Sequence, residues 1–232
     1  MSLSCEELVD EIQALTGRVG DTKLIDDTFC TRRLNECQVY MVDHCPQLIE
    51  LEFKNTSSID FSEDKISYAI TDITAGDTTD EAPAHIFRVG YVDGADSIWL
   101  DFQPSDEFDS ALIDPTSSDH SSSKPTRWTR RGNYIEVAPR PSSSYENAMR
   151  VDGCRYAMEF TTNDSSASEI PNCDELLRCW GVSKAFGAMG KEEKSALWMA
   201  KFNDAFTDFQ DKHGRMEAWD GDTIFDYPEG NY

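Results

Sequence analysis

Positive charge is scarce in this 232-residue sequence: 21 lysines and arginines face 44 acids, a formal net charge of -23. A surface of that sign repels a phosphate backbone, so a nucleic-acid reader whose grip comes from counterion release is disfavoured. No apolar run approaches the roughly 18 residues of a membrane span. The seven cysteines are odd in number and form no CxxC, which argues against a disulfide framework and against zinc-finger spacing. Cys30 and Cys37 would stand about 10 Å apart along one helix, beyond disulfide reach, so the cysteines are expected to serve as small core residues. GxxxxGK[ST], GxGxxG and GxSxG are all missing, and with them the ordinary nucleotide and hydrolase motifs. His44, His85, His120 and His213 stand in no recognisable triad context.

Metal chemistry is equally hard to place. Asp220-Gly-Asp222 with Asp226 lacks the third ligand, the glycine and the closing glutamate of a calcium loop. His44 lies near Cys37 and Cys45 in sequence, but it continues an apolar helical face, so it reads as a core or interface histidine. The expectation is a protein without catalytic residues, cofactor or metal.

What is present is enough for a real core: 39% hydrophobic and 11% aromatic residues at a mean hydropathy of -0.55. The opening MSLSCEELVDEI is acidic and helix-like rather than leader-like, which predicts a chain kept in a reducing compartment. Ser4 and Glu7 make a capping-box pattern, followed by Leu8, Ile12 and Leu15, with Gly17 as a stop. A second helix is predicted to start at Asp26 or Asp27 and to end before Pro46, its apolar face being Cys30, Leu34, Cys37, Met41 and His44.

Strand patterns then take over: Leu48 to Phe53, Lys65 to Ile73, Ile86 to Val92, Ser97 to Phe102, Trp128 to Arg131, Tyr134 to Ala138, and Ala148 to Phe160. Residues 76 to 123 hold eleven acids against Arg88 alone, and the part from 103 to 123 reads as a solvated acidic loop. Helical periodicity returns with Leu176, Leu177, Trp180 and Ala185, then with Trp198, Phe202, Ala205, Phe206 and Phe209 before Gly214. Gly181, Ala185 and Ala188 are expected to let these two helices approach closely. The fold class is therefore α+β: a helical bundle built from the N- and C-terminal helices, with a central antiparallel β-rich excursion. The expected segments are 1–46 helical, 47–162 β-rich with the long acidic loop, 163–214 helical, and 215–232 a tail.

Two stretches stand out as candidate interaction sites. PTRWTRRGNYIEVAPRP carries four arginines in an acidic chain, and Gly132-Asn133 between two β-prone runs signals a hairpin. Counting from that turn pairs Arg131 with Tyr134, Thr129 with Glu136 and Trp128 with Val137, leaving Glu136 diagonal to both Arg127 and Arg131. Arg127, Arg130, Arg131 and Arg140 then either answer the surrounding acids, reach an acidic partner, or touch DNA. In the tail, Trp219, Phe225, Tyr227 and Tyr232 follow no helical or strand period, so they serve a docked partner or stay unburied.

The order FRVGYVDGADSIWLDFQPSDEFDS, KPTRWTRRGNYIEVAPRP, then EIPNCDELLRCWGVSKAFGAMGKEEKSALWMAKFNDAFTDF resembles the head-to-tail adaptor (connector) proteins of tailed bacteriophages. The opening LVDEIQALTGRVGDTKLIDDTFCTRRLNEC is similar to that family's first two helices, and the resemblance runs to about residue 213. It implies a non-enzymatic virion protein made in the host cytoplasm: a homo-oligomeric ring, typically of twelve copies, between the portal protein and a tail or nozzle protein. Genomic DNA would pass through its channel without specific binding, and no membrane would be involved. Two other classes stay open on the residues themselves, a β-rich binding module of carbohydrate type and an acidic DNA mimic.

Overall fold

The computed structural model describes residues 2–45, 50–53, 61, 65–73, 83–93, 96–113, 124–141, 144, 149–162 and 164–213. Helices α1 (Cys5–Thr16) and α2 (Asp27–His44) open the chain, and α4 (Asp174–Ala188) and α5 (Glu192–His213) follow the strands. Between them lie β1 (Glu50–Phe53), β2 (Ser67–Ala69), β3 (His85–Asp93), β4 (Asp96–Trp99), β5 (Asp101–Phe102), the helix α3 (Ser105–Ile113), β6 (Arg127–Arg131), β7 (Tyr134–Ala138) and β8 (Met149–Cys154). The chain divides into a helical unit, Met1–Ile49 with the segment that begins at Tyr156, and a β unit, Glu50–Arg155.

In the helical unit, local chemistry sets the helix ends. Ser4 Oγ accepts from the Glu7 amide while Glu7 Oε2 accepts from the Ser4 amide at 2.8 Å, so α1 begins with two of its orphan donors satisfied. Gly17 closes α1 at φ +71°, a left-handed value that glycine reaches without the Cβ penalty. Asp26 caps α2 by accepting from the Phe29 amide at 2.7 Å. Leu8, Ile12, Leu34, Cys37, Met41, Leu177 and Val182 are fully buried between α1, α2 and α4. Asp164 accepts from the Ser166 amide and hydroxyl, and this turn presents the carbonyls of Asp164 and Ser166 to the first amides of α1, Glu6 and Cys5.

The small residues of α4 do not all face where the periodicity suggests. A Cβ on Gly181 would meet Ile12 Cδ1 at 2.3 Å, so this glycine admits α1, not α5. The close approach of α5 uses Ser183, whose hydroxyl donates to the Ser195 carbonyl at 2.9 Å, and Gly187, beside the Ser195 hydroxyl. Trp198 is only half-buried, whereas Phe202, Phe206 and Phe209 are buried as the aromatic row requires. His44 is exposed at the end of α2, with its ring stacked on Tyr40 at 4.0 Å and edge-on to Phe206 of α5 at 6.0 Å.

Among the described residues, the β unit holds two four-stranded sheets, β1-β8-β3-β4 and β2-β7-β6-β5. They share one core that includes Phe61, Tyr68, Val89, Leu100, Trp128 and Ile135. The run expected as a single strand from Ser97 to Phe102 serves both sheets. β4 pairs antiparallel with β3, Leu100 donates to the Val89 carbonyl, and β5 pairs parallel with β6. Changing sheets at one buried leucine is the corner of a packed pair of sheets, and it makes the excursion mixed rather than purely antiparallel. The strand expected over Lys65 to Ile73 keeps only β2 and then becomes a 3-10 turn, Ile70–Asp72. The strand expected from Ala148 to Phe160 ends at Cys154, after which the main chain bonds to side chains of α2.

Candidate functional site

The hairpin β6–β7 forms in the register counted from its turn: Arg131 with Tyr134, Arg130 with Ile135, Thr129 with Glu136, Trp128 with Val137. Gly132 takes φ +60°, the left-handed value required at the first position of a II′ turn. Trp128, Ile135 and Val137 enter the shared core, which fixes the register, since a one-residue slip would turn them all to the other side.

The opposite side is not simply wet. Thr129 is 1% exposed beneath α3, with its hydroxyl 3.5 Å from that of Ser105. α3 stands inside the stretch expected as a solvated acidic loop. Its signal is Pro104-Ser105-Asp106-Glu107, where acids in the first turn face the positive end of the helix dipole, and Phe108 supplies a fully buried anchor.

α3 also supplies the counter-charge. Arg131 donates to Asp109 of α3 and lies 3.4 Å from Glu136 across the hairpin. The Asp109 hydrogen bond, with Glu136 behind it, holds the Arg131 guanidinium above its usual pKa. Arg127 donates to Gln103 Oε1 at 3.2 Å, and Arg130 donates to the Gly132 carbonyl at 3.2 Å. Arg140 is exposed just past β7. Each of the three β6 arginines therefore has an intrachain acceptor, and Arg131 answers Glu136 as the diagonal predicted. Tyr134 is 50% exposed opposite Arg131, so the tip offers an aromatic ring beside guanidinium groups. Trp219, Phe225, Tyr227 and Tyr232 lie outside the described residues.

A second arginine cluster escaped the sequence reading because its members come from three strands. The guanidinium groups of Arg88 and Arg150 both lie against the Trp99 ring, 4.4 and 4.8 Å from its centroid. Both arginines pair with the buried Asp152, at 2.6 and 3.6 Å. A Cβ on Gly90 would stand 2.9 Å from Trp99 Cε3, so this glycine makes room for the ring. The one available hint is Gly90 inside the strand pattern FRVGYV, where a glycine marks close approach of another group.

Among the described residues no group of three or more His, Cys, Asp or Glu side chains is disposed to hold a metal. The seven cysteines are free and buried. Burial pushes the Cys30 thiol up to about 12 and those of Cys45 and Cys173 to about 11. Burial, with Glu175 behind it, raises Cys179 to about 12. Such thiols are poor nucleophiles. A cleft of about 610 Å³ beside α2, lined by Thr28, Asn35, Val39 and Phe160 among others, contains no histidine or cysteine. Among the described residues, no helix is long and apolar enough to cross a membrane.

No curated protein matches the chain. The family model of the SU10 adaptor protein matches residues 4–222, which takes in both units and passes Gly214 into the tail, beyond the residue 213 expected from the sequence phrases. That match covers most of the sequence and agrees with the phage adaptor resemblance carried by its hairpin and its closing helices. The chain belongs to the SU10 adaptor protein family, whose members are phage head-to-tail adaptors.

Proposed function

We propose that this chain is a structural, non-catalytic component of the virion that closes into a ring, joins the portal to the tail and lines part of the channel through which the genome leaves. The observation that carries this reading is the family match over residues 4–222, which includes both the helical unit and the β unit. Ring closure needs heterologous contacts, in which one patch of each copy meets a different patch of the next. An excess of 44 acids over 21 bases suits a channel wall, because DNA phosphates meet repulsion there instead of lysines that would release counterions and hold the duplex. The copy number follows the symmetry of the portal on which the ring assembles, twelve in the expected arrangement.

In this reading the hairpin tip and the tail face outward to neighbours. Arg127, Arg130, Arg131 and Arg140, with the half-exposed Tyr134 at the start of β7, are the groups proposed to meet an acidic partner surface. Trp219, Phe225, Tyr227 and Tyr232 are proposed to dock into the portal or the adjacent copy, in the manner of aromatic interface anchors. The direct test is a reconstruction of the head-to-tail junction in particles carrying this chain. A ring of this fold between portal and tail supports the proposal, and a monomeric position at a fibre tip ends it.

A further inference from the structure

Two exposed apolar patches on the helical unit carry opposite charge. The first lies on the N-terminal half of α5, where the run ALWMA contains no fully buried residue and Leu197 is 58% exposed. Lysines border it: Lys201 stands over the Trp198 ring at 4.1 Å, and Lys194 over Phe186 at 5.4 Å. From 184 to 201 four lysines stand against Glu192 and Glu193, a local excess of positive charge in a chain of net charge -23. The second patch lies on α1 and the loop after it, where Leu15 is 46% and Val19 78% exposed. α1 carries four acids, Glu6, Glu7, Asp10 and Glu11, and no base; Glu11 is paired with Arg178 at 2.6 Å, and in the loop Arg18 is paired with Asp21 at 3.6 Å, which leaves the patch with an acidic excess.

The packing of α4 puts these patches on opposite sides. α1 meets α4 at Gly181, through Ile12, and α5 meets it at Ser183, through Ser195. Residues two apart on a helix point about 200° apart, so α4 lies between α1 and α5. The same step places Ala14 away from Ile12 and Leu197 away from Ser195, so both patches face outward from the layer.

We infer that the basic, apolar face of α5 in one copy docks on the acidic, apolar face of α1 in the next copy, a heterologous contact that repeats from copy to copy. This rests on the ring reading above and names the surface that builds the ring. Like-charged faces would repel, so neither patch pairs well with itself, whereas the two together bury Leu197 and Trp198 against Leu15 and Val19 with lysines facing carboxylates. A contact between two different patches on opposite sides of one unit propagates around an axis and does not stop at a dimer.

The test uses particles carrying Ala14→Cys, Leu197→Cys or both, treated with a short bismaleimide. The native cysteines are all buried, so background linkage is low. The double variant should give a ladder of covalent multimers, and each single variant only monomer. Absence of the ladder in particles whose images still show the ring overturns the α1–α5 contact and leaves the ring reading standing. Dimers from Leu197→Cys alone would overturn it as well, by showing an isologous contact. Images without any ring at the junction would remove the ring reading and this contact with it.

Discussion

Gly181 and Ile12 show how one missing methyl sets the spacing of two helices. With Ile12 Cδ1 only 2.3 Å from where a Cβ would stand, Gly181→Ala overpacks a fully buried contact and should cost about 1–3 kcal/mol of stability. Adding Ile12→Val, which removes Cδ1, should recover part of that loss, so that the double variant is more stable than the sum of the single changes predicts. Chemical denaturation of the four proteins measures the coupling, and strict additivity would mean that the two side chains do not meet. The buried thiols make a separate prediction. Their folded pKa values are raised by burial to about 11 or 12, so they stay protonated in the native state. The unfolded chain loses those protons above about pH 8.5. Stability is therefore fully present below that pH and declines as pH rises toward the folded values, because the unfolded state binds fewer protons. Cys179→Ala should flatten the decline in melting temperature between pH 8 and 10, roughly the window in which the free thiol titrates; an unchanged slope would contradict the assignment. At this scale the sequence was legible where one residue answers its own neighbours, as in the Ser4–Glu7 box and the Asp26 cap. It was not legible at Gly181, because helical periodicity tells which residues share a face and not which helix that face will meet.

Among the elements, the hairpin and α3 act as one device. The hairpin register could be read because a two-residue turn and a period of two leave one alternation that buries Trp128, Ile135 and Val137 together. α3 was masked by its acid content, which suggested solvation, although Asp106 and Glu107 are the charges a first helical turn favours. Arg131 ties the two together through Asp109, and both groups are nearly half exposed, so the bond should contribute no more than about 1 kcal/mol. Arg131→Ala is thus expected to lower the melting temperature by only a few degrees. Arg130→Glu with Arg140→Glu, at one half-buried and one exposed position, should lower the melting temperature by only a few degrees and should still reduce assembly on the portal. Normal assembly by that double variant would confine the arginines to an intrachain role. The split of Ser97 to Phe102 between two sheets was beyond sequence reading, because alternation around Leu100 is the same whether the strand continues or crosses. Asp164 makes a smaller element-level case. Its carboxyl is held below the usual range chiefly by the Ser166 hydroxyl, so the latch on α1 is present above about pH 4 and is lost as pH falls below it.

For the whole molecule, the helix, sheet, helix order that suggested an α+β chain is the order observed, and the family match runs through both units. The order was readable because helical and strand periods differ so plainly between the ends and the middle of the chain. The tail after Gly214 belongs to this scale as well. Deleting residues 215–232 should leave the melting of the remaining chain nearly unchanged while reducing portal attachment, whereas loss of folding would assign those residues to the core. The proposed function requires a ring of this chain at the head-to-tail junction. A localised cryo-electron reconstruction of that junction tests it most directly, because copy number, neighbours and channel lining are read from one map. The expected result is a closed ring between portal and tail, with α5 of each copy against α1 of the next and an acidic channel wall. A junction without this chain, or a single copy at a fibre tip, would contradict it.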